Sequence, residues 1–566
     1  MTASAKSNSK YSAMLRQAAI GTAIVAGAFT LFVAIVMART WKANAASNPT
    51  DHPRLEQLRN ELAADSESKK IIAEIRKEDL ALRTEFFRTW KILKTGGWLL
   101  LVGGCLLVAA AALAVSIGKK PHMPAGKTKG SDDMLAGLLG RLGIAAAAVA
   151  LTATALAVPV LTKEVSTRSE AKGLWLGFRG GPAASGISPY TNVPLTFDGI
   201  EGVNIAWKTV VPLKGASSPA VWDGRVFLTG ANKKTREVYC FDALSGKIRW
   251  RKSITAGPGS TKVPEGVMED DTTYAAPTPV IDVENDRIFV MFANGDVACL
   301  DTFGKIIWQK HLGTPDNFYG HAASPVLWKK SLIIQLDQGE PDDKESALIC
   351  LNADTGEEVW RTPRPVGSSW PTPIIAEVES GDQVITCANP YVISYNPVDG
   401  KELWRVDCLD GDGGPSPIFA AGLVFATNVS SKIAAIRPDG KGDVTKTHVQ
   451  WEFDEDLPDT CSPLSDGKLL WMMAEGEFSC IDAKTGKRLW HKDFEASFYA
   501  SPAMAGDRIY LISRKGKVYV VGSGRELKEL AEADLGEPCD TSPAFAEGRM
   551  YIRGKTHLYC IEEQSK

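Results

Sequence analysis

The sequence predicts an all-β, eight-bladed propeller of four-stranded blades, preceded by an α-helical region with three transmembrane helices. Three observations lead there. A Ser/Thr-Pro pair opening a short apolar strand returns eight times after residue 216, an outer hairpin ending in tryptophan returns with it, and three long apolar stretches lie ahead of both. Short strands with regular turn signals at a period in the forties mark blades, none of which buries its faces alone.

The apolar stretches come first in the chain. Residues 18–38 and 97–117 carry no charge and are long enough to cross a bilayer as helices, and 135–162 carries only Arg141, near its start. A cleaved signal peptide is the alternative for the first, since Ala43-Asn44-Ala45 resembles a cleavage site. Its apolar run, however, exceeds a usual leader core, and Arg39 and Lys42 follow it. Lys6, Lys10 and Arg16 (in 1–17), and four lysines against two aspartates in the loop 118–134, place both segments in the cytoplasm. Three crossings then put the connector 39–96 and everything after residue 162 outside, which in a Gram-negative-like bacterium means a propeller in the periplasm on the cytoplasmic (inner) membrane. Within the connector, residues 53–94 space their apolar side chains for one helical stripe, suited to a packed hairpin or to self-association.

The propeller is expected over 170–566. Its units begin at Pro219, Pro279, Pro325, Pro373, Pro417, Pro463, Pro502 and Pro543. The outer hairpin reads VYCFDALSGKIRW, VACLDTFGKIIW, LICLNADTGEEVW, VISYNPVDGKELW and FSCIDAKTGKRLW. Asp242, Asp301, Asn352, Asn396 and Asp482 can bond the turn's own amides, while Gly246, Gly304, Gly356, Gly400 and Gly486 accept positive φ. Trp250, Trp308, Trp360, Trp404 and Trp490 recur at one position of the outermost strand, where a side chain that large is expected to dock on the neighbouring unit. The last unit ends after its third strand, and NIAWKTVVP, carrying Trp207, precedes the first, so the N-terminal strand is expected to complete the eighth blade. Cys240, Cys299, Cys350, Cys480 and Cys560 share one blade position, so ring symmetry keeps them apart. Free, mostly buried thiols are expected throughout.

With these motifs and WLGFRGGPAASGIS at 175–188, the propeller resembles the PQQ-like β-propeller family. That family includes quinoprotein alcohol dehydrogenases and the non-enzymatic propeller subunit of the outer-membrane barrel-assembly machine. The resemblance covers about residues 175–566 and implies the fold more strongly than the chemistry. An enzyme of the family would need calcium, pyrroloquinoline quinone (PQQ), a carboxylate base and a planar slot. Many also carry adjacent cysteines, which this chain lacks.

Loops entering the innermost strands are where a channel-mouth ligand or partner would be met. They offer Asp271, Tyr274, Tyr319, His321, Trp370, Asp412, Asp459, Tyr499 and Asp540: aromatics to stack on a planar group, acids to hold calcium or a basic partner. The same residues equally suit loop hydrogen bonding and filling of the channel mouth. A net charge of −3, from 64 basic and 67 acidic side chains, leaves no basic field for nucleic acid. No C-x-x-C or C-x-x-C-H spacing points to zinc, thioredoxin-like chemistry or haem. Two readings follow: a non-catalytic binding or scaffolding module for an envelope protein partner, with no cofactor, no metal and no catalytic residue; or a PQQ- and calcium-dependent dehydrogenase passing electrons to the membrane. The short loops favour the first.

Overall fold

The computed structural model describes residues 174–563 except 182, 265, 266 and 268–272. Ahead of these it describes 20–31, 33, 34, 37, 57, 100, 103, 104, 107, 108, 110–112, 114 and 115. The chain divides into two compact units, Met1–Ser169 and Glu170–Lys566.

In the first unit, residues 20–31 are helical, as are the described positions between 100 and 115. Small side chains make their contacts. A Cβ on Gly27 would stand 3.6 Å from Leu107, one on Gly103 would stand 2.6 Å from the Thr30 hydroxyl, and Thr30 donates that hydroxyl to Ala26 O. Ile24, Val25 and Leu31 are more than 60 % exposed on the other side. Among the described residues no helix is long and apolar enough to cross a membrane. The stretch 135–162 and, apart from Gln57, the connector 53–94 lie outside the described residues.

The second unit is an eight-bladed propeller. Blades 1 to 7 are built from residues 220–253, 280–311, 326–363, 374–407, 418–453, 464–493 and 503–534. Blade 8 takes three strands from 544–561 and its outermost strand, Ile205–Val210, from the start of the propeller, antiparallel to His557–Ile561. Two sheets carry a fifth strand: Ile187–Ser188 runs parallel to the innermost strand of blade 7, and Gly442–Asp443 parallel to the outermost strand of blade 4. Crowding at the axis holds the innermost strands to two or three residues, buried or half-buried, whereas outer strands such as Ile306–His311 run to six and alternate in exposure.

The outer hairpins explain their own sequence. The Asp242, Asp301, Asn352, Asn396 and Asp482 carboxyl or amide oxygens accept turn amides at 2.8–3.2 Å. Each motif glycine has φ between 68° and 88°. It also lies under the tryptophan of the preceding blade: a Cβ on Gly246, Gly304, Gly356, Gly400 or Gly486 would come within 2.5–2.8 Å of the indole of Trp207, Trp250, Trp308, Trp360 or Trp451. These indoles donate Nε1–H to a carbonyl of the next blade at 3.0–3.3 Å, as Trp490 does to Gly524 O. In register, each tryptophan faces a small residue across the strand pair, as Trp250 faces Cys240 and Trp451 faces Ala435, with a one-residue bulge beside it. The nine cysteines among the described residues are free and buried, and burial pushes thiols such as Cys240, Cys299 and Cys480 up to about 12.

Trp404 corrects the expected series. Gly442–Asp443 folds over its strand and buries it completely, so its indole donates to Gln383 Oε1 (2.9 Å) within its own blade, and Gln383 Nε2 passes the link to Pro438 O (2.9 Å). Trp451, in blade 5, is the docking residue that the motif search misses, because its hairpin is lengthened by the insertion. Blade 7 has Ala531 where the others carry tryptophan. There the segment before Ile205 fills the seam: Val193 and Phe197 are buried, Tyr510 OH donates to Pro194 O (3.0 Å), and Gly199 N to Asp534 O (2.8 Å).

Gly356→Ala is expected to lose about 2–4 kcal/mol in urea unfolding, since overpacking against Trp308 adds to left-handed strain. Gly422→Ala, with φ 74° and open space around it, should lose only about 1 kcal/mol.

Candidate functional site

The Ser/Thr-Pro pairs meet at the axis. Proline holds the residue before it extended and contributes no amide of its own to the crowded centre. Each Ser or Thr then does two things at once: its amide donates to the hydroxyl of the next blade, and its own hydroxyl accepts from the blade before. Ser218 N donates to Thr278 Oγ1 (3.0 Å), Thr278 N to Ser324 Oγ (3.0 Å), Ser324 N to Thr372 Oγ1 (2.9 Å) and Thr372 N to Ser416 Oγ (2.9 Å). Ser416 N continues to Ser462 Oγ, Ser462 N to Ser501 Oγ and Ser501 N to Ser542 Oγ, each at 3.0 Å, and Ser542 N closes on Ser218 Oγ at 3.2 Å. All eight residues are at most 5 % exposed.

This ring encloses a cavity of about 130 Å³. A second tier comes from the residues two positions before each ring member: Ala216, Ala276, Ala322, Trp370, Gly414, Thr460, Tyr499 and Asp540. Phe178 lines the remaining wall. Its segment spans the axial opening: Trp175 exchanges both backbone bonds with Val221 of blade 1, Ile281 N of blade 2 donates to Leu176 O, Ala184 packs with blades 4 and 5, and Met504 N of blade 7 donates to Gly186 O.

The expected site residues separate by their offset from the ring. Trp370, Tyr499 and Asp540 stand in the second tier and line the cavity. Tyr319 packs on Trp370 (ring centroids 5.2 Å apart), and Trp370 Nε1 donates to Asn317 Oδ1 (2.8 Å). Tyr274 and His321 are buried in the loop walls rather than on the axis. Burial lowers His321 to about 4, holding the imidazole neutral, and its Nε2 has no partner. Asp412 and Asp459 are off the cavity wall; Asp459 is raised, first by burial and then by Asp412 and Glu475. Asp271 lies outside the described residues. Sequence reasoning used the eight hydroxyls only as a repeat marker, although a hydroxyl at every unit, always before proline, was the signal for an axial ring. Phe178 and Arg179 carried no repeat signal.

The residues present do not fit calcium with a resident quinone. Asp540, the only carboxylate on the cavity wall among the described residues, is paired with Arg514 (3.0 Å) and with Lys555, and Arg514 also stacks on Tyr499 at 3.7 Å. Among the described residues no three His, Cys, Asp or Glu gather to hold a metal. The volume falls below the roughly 300 Å³ at which pockets for cofactor-sized molecules begin.

The family model described as Outer membrane protein assembly factor BamB matches residues 201–340, 344–462 and 443–527. The chain belongs to this propeller family. It is also similar to the 1-butanol dehydrogenase (quinone) of Thauera butanivorans, 24 % identical over 26 % of this chain and 22 % of that one. The quinoprotein ethanol dehydrogenase of Pseudomonas aeruginosa is 26 % identical over 38 % of this chain and 34 % of its own length. The chain thus spans about a fifth to a third of the length of these curated relatives. A solved europium-containing methanol dehydrogenase superposes with a TM-score of 0.52 at 13 % identity, over 70 % of this chain and 92 % of that one, which shows the shared fold.

Removing a ring hydroxyl strands an amide. Ser416→Ala leaves Thr372 N–H buried without an acceptor and should cost about 1–3 kcal/mol, whereas Ser416→Thr should be nearly neutral, as read by urea unfolding. His321 gives a pH signature. Its folded value of about 4 lies below the ordinary 6.5, so its contribution is complete above pH 6.5 and disappears as pH falls towards 4. The wild-type chain should lose about 3 kcal/mol more than His321→Gln across that window, measured as thermal midpoint against pH.

Proposed function

We propose that the chain is a membrane-anchored, periplasm-facing propeller that binds or scaffolds an envelope protein without catalysis. The observation that carries this reading is the second tier of the axis. Five of its eight positions are Ala, Gly or Thr, the acid Asp540 is neutralised by two cations, and Phe178 narrows the cavity to about 130 Å³. Binding capacity lies instead on the outside. Leu244, Phe303 and Val398, all more than 60 % exposed, occupy equivalent turn positions on blades 1, 2 and 4 and offer apolar anchors to a protein surface. Membership of the barrel-assembly-factor family supports the same reading by analogy of fold.

Anchoring through three spans, with the N-terminus in the cytoplasm of a bacterial inner membrane, is supported by the uncharged stretches 18–38 and 97–117. So are the glycine and threonine contacts between the described helical residues, whose remaining surface is apolar. The 53–94 helices are proposed to set self-association. Likeness to quinone-dependent alcohol dehydrogenases is the observation that favours the second reading, a PQQ- and calcium-dependent dehydrogenase.

Calorimetric titration of the full chain with PQQ and calcium together separates the two. No saturable heat is expected from folded protein, and tight binding near one equivalent would replace the scaffold by the dehydrogenase. In cells, the chain should stay with membranes through an alkaline carbonate wash, with its C-terminal unit open to protease only from the periplasmic side. Release by the wash, or protection from periplasmic protease, would overturn the anchoring and orientation.

A further inference from the structure

The eight ring hydroxyls have a second valence that the ring does not use. Each accepts an amide from the preceding blade, and none of their protons has an acceptor among the described residues. Eight O–H donors therefore border one axial space. Buried donors of this kind are paired in folded proteins, so the space calls for acceptors.

Water supplies acceptors, but the charges nearby favour more than water. Arg179 is 1 % exposed, next in sequence to the cavity-lining Phe178. Its Nη2 donates to Pro502 O (3.3 Å), the carbonyl immediately after ring residue Ser501, while Nε and Nη1 have no partner. Glycine at 186 leaves room for this guanidinium, because a Cβ there would stand 2.6 Å from Nη2. No carboxylate pairs with Arg179 among the described residues, and burial lowers it to about 9. Asp540, on the cavity wall, is paired with Arg514 and Lys555 and not with Arg179. A buried cation with no carboxylate partner among the described residues, one residue from the cavity-lining Phe178 and bonded to the carbonyl that follows ring residue Ser501, is electrostatically incomplete.

We propose that the axial cavity binds one small monovalent inorganic anion of halide size, held by the ring hydroxyl protons and compensated by Arg179. The volume of about 130 Å³ admits such an ion with a few waters, at roughly 30 Å³ for each water. Asp412 and Asp459, carboxylates in loops at the second-tier end with no cation partner among the described residues, oppose a higher charge.

The probe is bromide. Thermal midpoints of the full chain are measured in potassium bromide and in potassium gluconate at equal ionic strength, and crystals grown in bromide are examined for anomalous scattering. A saturable rise in bromide that gluconate does not reproduce, with an anomalous peak on the axis inside the ring, is expected. Arg179→Gln should weaken the apparent bromide affinity about tenfold by removing the charge-assisted share of binding, and Arg179→Lys should restore part of it. Equal midpoints in the two salts with no axial peak would overturn the proposal and assign the cavity to water. An axial peak with affinity unchanged in Arg179→Gln would overturn the role of the guanidinium. Should the buried substitutions prevent folding, the comparison of salts on the unaltered chain decides the matter alone.

Discussion

A closed cycle of eight identical hydrogen bonds sets the geometry on which the rest of the propeller depends. Each blade gives one amide and one hydroxyl oxygen, so the cycle has no end group and fixes the same spacing at every step. That spacing brings the innermost strands close enough to leave only a narrow axial cavity, and it explains why those strands are short and buried while outer strands are long and alternate. At the rim, indoles seated over glycines perform the same task with a different interaction, directional at Nε1 and dispersive over the ring face. Between the two belts lie apolar clusters shared by neighbouring blades, which supply most of the burial.

Departures from symmetry follow from this arrangement. A blade that lacks one belt contact must be held by something else, and each substitute is visible. Trp404 is linked through Gln383, and the seam beside Ala531 is filled by the segment carrying Val193 and Phe197; the junction of blades 3 and 4 keeps its Trp360 contact and holds a buried ion pair besides. In that pair Arg364 Nε meets Asp337 Oδ1 at 2.7 Å and Tyr395 OH accepts from Nη1 at 3.2 Å. Such a pair is costly to bury and yields little net stability over an apolar contact. Its value lies in directionality, since Asp337 also accepts from Gln335 and Ser369 and leaves few other arrangements for the seam.

Much of this was legible in the sequence because repetition multiplies a weak signal. One Asp or Asn turn ending in glycine is common, but five in step with eight Ser/Thr-Pro pairs define a blade and its period, and the orphan strand carrying Trp207 completes blade 8. What repetition cannot reveal is where a unit departs from its neighbours. Trp451 sits behind an insertion that shifts it out of the motif, and the covering of Trp404 depends on a two-residue strand with no apolar pattern, Gly442–Asp443. At the candidate site, residue type alone grouped nine side chains, and the fold sorts them by offset from proline. Two positions before the ring faces the axis, as for Trp370, Tyr499 and Asp540, whereas three or four before, as for His321 and Tyr274, turns into the loop wall.

That offset also bears on how one ring serves different chemistries. The first tier is tied to ring closure, because each hydroxyl satisfies a neighbour's amide, so it has little freedom to vary. The second tier carries no such obligation, and the size of its side chains sets how much of the axial space stays open. In this chain most of the tier is small. Its largest members are each engaged by neighbours: Trp370 by Asn317 and Tyr319, Tyr499 by Arg514, and Asp540 by Arg514 and Lys555. A side chain already committed to its neighbours has lost the unpaired charge or open face that a metal or planar cofactor requires. The blades are therefore shared with a solved methanol dehydrogenase as a fold, and the eight second-tier positions are the ones that ring closure leaves free.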